Sequence, residues 1–132
     1  MRRVAVIGAG IMGRGIAYAS ALGGFDTVLE DASGEALEKA LADVSATLEK
    51  GVATGKVLGP DAIAAHKRLR AVRSLEDSVR DADLVIEAVP EKIELKLELF
   101  AALDRHAPRH AVLASNTSSL SVTEMAAVTS RP

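Results

Sequence analysis

Two regimes of apolar spacing alternate along this chain. Short, nearly unbroken apolar runs are separated by longer stretches in which apolar residues return every three or four positions. An unbroken run predicts a strand covered on both faces, and the longer period predicts an amphipathic helix. The strands are expected at Arg3–Ile7, Asp26–Glu30, Leu69–Val72, Ala82–Val89 and Ala111–Ala114. The first helix is expected over Ile11–Leu22, with Ile11, Gly15, Tyr18 and Leu22 on one stripe and Gly23-Gly24 ending it. A long helix from Ser33 to about Lys50 carries Leu37, Leu41, Val44 and Leu48 inward. A second one follows over Asp61–Lys67, started at Pro60-Asp61, and a short turn of helix covers Ser74–Val79. Glu91 to about His106 places Ile93, Leu97, Phe100 and Leu103 inward, and Val122–Val128 closes the series. Strands regularly separated by helices predict an α/β domain, a doubly wound parallel sheet with right-handed crossovers.

Composition narrows the class without adding chemistry. The chain has 132 residues, 48% hydrophobic and 26% charged, enough for one domain with a sizeable core. A net charge of −2 without a basic block argues against a nucleic-acid partner. No apolar run is long enough to span a bilayer, and Arg14 interrupts the segment in which Arg2-Arg3 would otherwise imitate a signal peptide. The absence of cysteine removes disulfides and thiolate chemistry and fits a reducing interior, so a soluble cytoplasmic protein is expected.

The first strand runs straight into Gly8-Ala9-Gly10-Ile11-Met12-Gly13, which opens the first helix. Strand, G-x-G-x-x-G, then helix is the context in which this motif signals a dinucleotide site, although such glycines also serve ordinary turns. Gly8 would permit the tight turn, Gly10 the approach of a pyrophosphate, and Gly13 close packing of helix on strand. Glu30-Asp31 ends the second strand, with Asp31 twenty-one positions after Gly10. A carboxylate there can accept both hydroxyls of an adenine ribose and repel a 2′-phosphate, which favours NAD over NADP. The alternative role for Asp31 is to help cap the next helix, for which Ser33 is the nearer candidate. The fold expected is therefore Rossmann-type, with a helical excursion after the second strand. That excursion is locally basic through Lys50, Lys56, Lys67 and Arg68, either for a phosphorylated substrate or as a solvated face.

Two further features lie at strand carboxyl ends, where such sheets bind ligands. Glu87 stands inside the apolar fourth strand, so it must reach the crevice or a hydrogen-bond partner. Ser115-Asn116-Thr117-Ser118-Ser119 follows the fifth strand. Its hydroxyls and carboxamide can position a nicotinamide amide or a substrate oxygen, but none is a strong base. The same loop can cap the last helix, with Ser121 and Glu124 forming an S-x-x-E box. His66, His106 and His110 are expected away from this edge, and no metal-ligand cluster is visible.

Taken together, Gly8–Gly13, Val28-Leu29-Glu30-Asp31, Asp83-Leu84-Val85-Ile86-Glu87-Ala88-Val89, Glu91, Lys96, Leu99-Phe100 and Ser115–Leu120 resemble the NAD-binding domain of L-3-hydroxyacyl-CoA dehydrogenases, the 3-hydroxybutyryl-CoA dehydrogenases included. The resemblance covers essentially all of residues 1–132. It implies NAD-dependent interconversion of a 3-hydroxyacyl-CoA and a 3-oxoacyl-CoA, as in fatty acid β-oxidation. It further implies that Asp31 binds the adenine ribose, that Glu91 and Lys96 lie along the cofactor beside Gly8, Gly10, Ile11, Met12 and Gly13, and that Asn116 sits near the nicotinamide. Ser118 would hydrogen-bond the substrate's reacting oxygen, and Lys50 and Lys56 belong to the arm laid against coenzyme A. The family's catalytic histidine, its glutamate partner and its helical dimerisation domain follow the region where this chain stops. The expectation is a cofactor domain that binds NAD without turnover, from a parent that dimerises elsewhere. The rival readings are a stand-alone NAD-binding module and a lambda-crystallin-like or sugar-acid dehydrogenase domain.

Overall fold

The computed structural model describes residues 2–116 and 122–131. Five parallel strands form one sheet in the order β3-β2-β1-β4-β5: β1 Arg3–Ile7, β2 Asp26–Glu30, β3 Leu69–Val72, β4 Leu84–Glu87 and β5 Val112–Ser115. The helices are α1 Ile11–Leu22, α2 Gly34–Ala53, α3 Gly59–Arg68, α4 Leu75–Val79, α5 Ile93–His106 and α6 Val122–Ala127. The chain winds outward from β1 to β3, then returns to place β4 on the other side of β1. Order therefore reverses between β1 and β4, and a crevice opens there beyond the strand ends.

Both faces of β1 are covered. Val4 and Val6 pack with Leu29, Ala17, Leu37 and Ala40 under α1 and α2. Ala5 and Ile7 pack with Val79, Val85, Leu103 and Ala107 under α4 and α5. The helical excursion folds back as a third cluster, in which Ala62 and Ala65 of α3 meet Ala21 of α1 and Val44 and Leu48 of α2. Ser33 and Ser74 cap α2 and α4, accepting from the backbone N–H of Ala36 and Asp77. Among the described residues no helix is long and apolar enough to cross a membrane.

The inward stripes differ from the expected ones in three helices. In α1 the buried positions are Gly13, Ala17 and Ala21, whereas Ile11 is 81% exposed. Small residues face inward because the helix lies close against the sheet, and the larger side chains are turned to the rim. In α2 Leu37, Val44 and Leu48 are buried as expected, and the one difference is Ala40, buried where Leu41 is only partly so. In α5 the buried set is Lys96, Phe100 and Leu103, with Ile93 and Leu97 half-buried. A lysine takes an inward position there because an acid awaits it inside.

Strand β4 is shorter than the apolar run Ala82–Val89. At its start the Asp83 carboxylate accepts from the backbone N–H groups of Arg2 and Arg3, at 2.8 and 3.0 Å. At its end Ala88 makes a last bond to Ile7 O at 2.8 Å before Val89 and Pro90 leave the sheet to wall the crevice. Strand β5 is shifted by one residue, to Val112–Ser115, which brings Ser115 into register with Glu87.

Candidate functional site

An open crevice of about 720 Å³ lies beyond the carboxyl ends of β1, β2, β4 and β5. Its walls include Gly8, Gly10, Ile11 and Met12 from the first turn, Asp31 after β2, Val89, Glu91 and Lys96 after β4, and Asn116 after β5. A smaller cavity of about 280 Å³, between Arg3, Asp26, Arg70 and Asp77 at the opposite edge, holds none of them.

The glycine turn has three different local requirements. Gly8 has φ +103°, and a Cβ there would also stand 2.8 Å from Ala88 O, so the turn and the neighbouring wall both exclude a side chain. A Cβ on Gly13 would stand 1.7 Å from Gly8 O, so α1 can start at this depth only without one. Gly10 is the opposite case: nothing lies within 4 Å of its missing Cβ, which would project into open space. Gly13 thus supports the crevice from beneath, whereas Gly10 leaves room above it. Gly10 is also the N-cap of α1, and neither a side-chain cap nor an acid occupies that first turn. The positive end of the helix dipole therefore faces the crevice with no acid or cap from its own first turn.

Asp31 is held rather than loose. Its Oδ2 accepts from Ala9 N at 3.0 Å and its Oδ1 from Ser33 N at 2.9 Å, while Ser33 itself caps α2. The carboxylate thus spans the two loops that border this end of the crevice. Glu30 lies just before it, half-buried in the sheet, in register with Ile7. Burial, followed by the nearby Asp31 charge, raises the Glu30 pKa to about 7.

At the far end an acid–lysine–acid chain closes the wall. Glu87, fully buried, accepts from Ser115 Oγ at 2.6 Å and Val89 N at 2.7 Å, and pairs with Lys96 Nζ at 3.1 Å. Lys96, equally buried, reaches on to the Glu91 carboxylate at the rim. The sequence requirement that Glu87 find a partner is met, but the identity of that partner was hidden. The helical stripe leaves Lys96 out of the inward set, while the resemblance places it along the cofactor; only the packing of α5 on β4 brings it over Glu87. Arg14 and Lys39 also line the crevice, and neither was singled out from sequence. Arg14 donates to Gly10 O at 3.2 Å and pairs with Asp43 at 2.9 Å.

Other expected residues stand elsewhere. Helix α2 runs past the expected end near Lys50, which lies in its last turn, and Lys56 follows the helix; both are exposed on the excursion and neither lines the crevice. Arg68, in the same basic group, donates to Ala21 O at 2.9 Å and so ties α3 to α1. His66, His106 and His110 do not line the crevice, and His110 contacts Asp83 at 2.8 Å near the opposite edge. Ser118, and Ser121 of the capping box, lie outside the described residues. Among the described residues no group of His, Cys, Asp or Glu is placed to hold a metal.

Residues 3–132 match the family model of the 3-hydroxyacyl-CoA dehydrogenase NAD binding domain. The chain belongs to this family. It is 42% identical over its whole length to a 3-hydroxybutyryl-CoA dehydrogenase of Bradyrhizobium diazoefficiens, of which it covers 45%. A 3-hydroxyadipyl-CoA dehydrogenase of Escherichia coli is 41% identical over the whole chain, which covers 28% of that protein. Among solved structures, the (S)-3-hydroxybutyryl-CoA dehydrogenase of Ralstonia eutropha superposes with a TM-score of 0.93 at 38% identity, over 99% of this chain and 46% of that one. The chain thus spans less than half the length of each of these relatives. The family's cofactor is NAD. The crevice suits it: there is open room above Gly10, an uncapped helix terminus for a pyrophosphate, and a fixed carboxylate at one end.

Proposed function

We propose that this chain is the cofactor-holding part of an oxidoreductase that interconverts 3-hydroxyacyl-CoA and 3-oxoacyl-CoA. The observation that carries the reading is the convergence of Gly8, Gly10, Asp31, Glu91, Lys96 and Asn116 on one crevice at the switch in strand order. Asp31 accepts the hydroxyls of the adenine ribose, and its charge disfavours a 2′-phosphate. The α1 terminus at Gly10, Ile11, Met12 and Gly13 faces the pyrophosphate. Glu91, Lys96 and Asn116 then lie along the nicotinamide half. Bound NAD supplies the hydride acceptor.

Ser118 donates a hydrogen bond to the substrate oxygen as charge develops on it, a contact of the kind that lowers a barrier by about 3 kcal/mol. Lys50 and Lys56, carried on the exposed excursion, meet the phosphates of coenzyme A. An alcohol oxidation also needs a base that works near neutral pH. No histidine is among the described residues lining this crevice, so the base is supplied by a different segment and this chain alone holds NAD without turnover. The absence of cysteine supports a reducing interior, the cytoplasm. Pairing of the parent into a homodimer is assigned to its helical domain rather than to this one.

Calorimetric titration with NAD, and with NADP in parallel, tests the cofactor half of the proposal. NAD should bind and NADP should bind at least about tenfold more weakly, by the charge at Asp31. A folded chain that binds neither would overturn the reading. For the substrate half, the chain is grafted in place of the matching part of the Bradyrhizobium relative. The hybrid should oxidise NADH in the presence of acetoacetyl-CoA, and a folded hybrid that binds NAD yet stays silent would refute the acyl-CoA assignment.

A further inference from the structure

The buried carboxylate of Glu87 has more partners than a structural acid at a strand end needs, and each leads to the same end of the crevice. Its Oε2 accepts from Val89 N at 2.7 Å, fixing the segment that turns from β4 into the crevice wall. Its Oε1 is shared by Ser115 Oγ at 2.6 Å and Lys96 Nζ at 3.1 Å. Ser115 immediately precedes Asn116, whose backbone N–H continues the ladder to Glu87 O at 2.9 Å. Lys96 is 0% exposed, yet it lines the crevice. An ammonium has three N–H donors. Among the described residues Glu87 and Glu91 are its acceptors, which leaves one donor for the crevice it borders.

We infer that Glu87 is the positioning residue for the nicotinamide half of the site. It touches no cofactor itself. It pairs with the Lys96 ammonium and aims it, and through Ser115 and Val89 it fixes the two segments that carry Asn116 and Glu91. The inference rests on the functional reading above, in which Asp31 takes the adenine end and Lys96 and Asn116 the other.

The physical reason is the cost of an ammonium buried without a counter-charge. An ammonium with its side chain 1% exposed has lost its hydration, and only the acids facing it offset that cost. Glu91 faces it from the rim, with a side chain 45% exposed, so its pull is screened by water. Glu87 is the acid that remains unscreened. Replacing it with glutamine keeps the shape and one acceptor toward Ser115, but removes the charge that holds Lys96 and sets an NH2 group against Val89 N.

The test compares NAD with ADP, which occupies only the adenosine and pyrophosphate end, on the 132-residue chain. Glu87→Gln should lose about tenfold or more in NAD affinity, as expected for a weakened charged hydrogen bond, with ADP affinity unchanged within about twofold. Lys96→Met should show the same split, and Glu87→Gln added to Lys96→Met should cost little more, since both act through one ammonium. Ser115→Ala gives a smaller loss of the same kind and serves if Glu87→Gln fails to fold. Unchanged NAD affinity in Glu87→Gln, or in Ser115→Ala where the former is unfolded, overturns the inference. Equal losses for NAD and ADP also overturn it, because they indicate general damage to the domain. If the unmutated chain binds ADP but not NAD, or binds neither, the functional reading itself has failed, and that outcome is visible before any variant is made.

Discussion

A Cβ on Gly13 would stand 1.7 Å from the carbonyl oxygen of Gly8, well inside any tolerable contact. The start of α1 therefore lies as deep as a glycine allows, and the turn and the helix depend on one another. Gly13→Ala should push α1 off the turn, lowering the melting temperature and abolishing NAD binding together; overpacking of this kind costs about 1–3 kcal/mol or more. Gly10→Ala makes the contrast. Its Cβ would meet nothing within 4 Å, so the melting temperature should hold while NAD affinity falls. Thermal unfolding and calorimetry on the pair separate the two roles, and a Gly10→Ala chain that melts as early as Gly13→Ala would show the distinction to be unreal.

Asp31 joins Ala9 N to Ser33 N while facing the crevice. The Ser33 N contact meets the helix-support reading, and the place of the carboxylate in the crevice wall is where the proposed ribose would lie. Asp31→Ala should weaken NAD by at least about 1 kcal/mol. It should also narrow the gap between NAD and NADP, since the charge opposing a 2′-phosphate is gone and Lys39 remains in the wall. Titration with both nucleotides reads the outcome. A variant with its NAD to NADP ratio intact would take the selecting role away from Asp31.

Strand and helix placement was legible because parallel strands, covered on both faces, must be written as apolar runs, and glycine, proline and serine punctuate the rest. Gly8, Gly10 and Gly13 could be given separate jobs in advance because each job is a steric one. Which helical face points inward was less legible for α1, where the deciding signal was the small-residue series Gly13, Ala17, Ala21 rather than the large apolar stripe. The Glu87–Lys96 pair was half legible. A glutamate inside an apolar strand demands a partner, but the partner's identity depends on the register of α5 against β4, a tertiary fact that no local pattern carries. Lys39 and Arg14 were invisible for the same reason.

Glu30 makes stability depend on pH in a definite direction. Its pKa is raised from 4.5 in the unfolded chain to about 7 when folded, by burial first and the Asp31 charge second. Between those values the folded chain binds the extra proton, so stability present below about pH 4.5 is lost as pH rises toward 7. Asp104 and Asp83 act in the opposite sense, their pKa values being lowered chiefly by backbone N–H donors, but only below the ordinary carboxylate range. The windows therefore do not overlap. Glu30→Gln should flatten the fall in melting temperature across the pH 4.5 to 7 window, relative to the unmutated chain. Identical pH profiles for the two would show that the Glu30 proton is not linked to folding.

The end of the described chain is fixed by one guanidinium. Arg131 donates to Asp104 Oδ1 at 2.9 Å, to the carbonyls of Ala111 and Asp104 at 3.1 Å, and to Ala107 O at 3.3 Å, with Pro108 O as a further acceptor. Asp104 and Ala107 belong to the last turn and C-cap of α5, whose carbonyls have no partners within the helix, so Arg131 serves as a C-cap supplied from a distance. It also holds the segment after α6 against the α5–β5 connection. Arg131→Ala should lower stability by about 1–3 kcal/mol, because it leaves several half-buried acceptors without a donor. Arg131→Lys should recover only part of this, since one ammonium cannot reach a carboxylate and several carbonyls together. NAD affinity should not change in either variant, as Arg131 does not line the crevice. Denaturant unfolding and calorimetry give the two readouts, and a loss of NAD affinity without a loss of stability would mean that α6 is coupled to the site in a way this geometry does not contain.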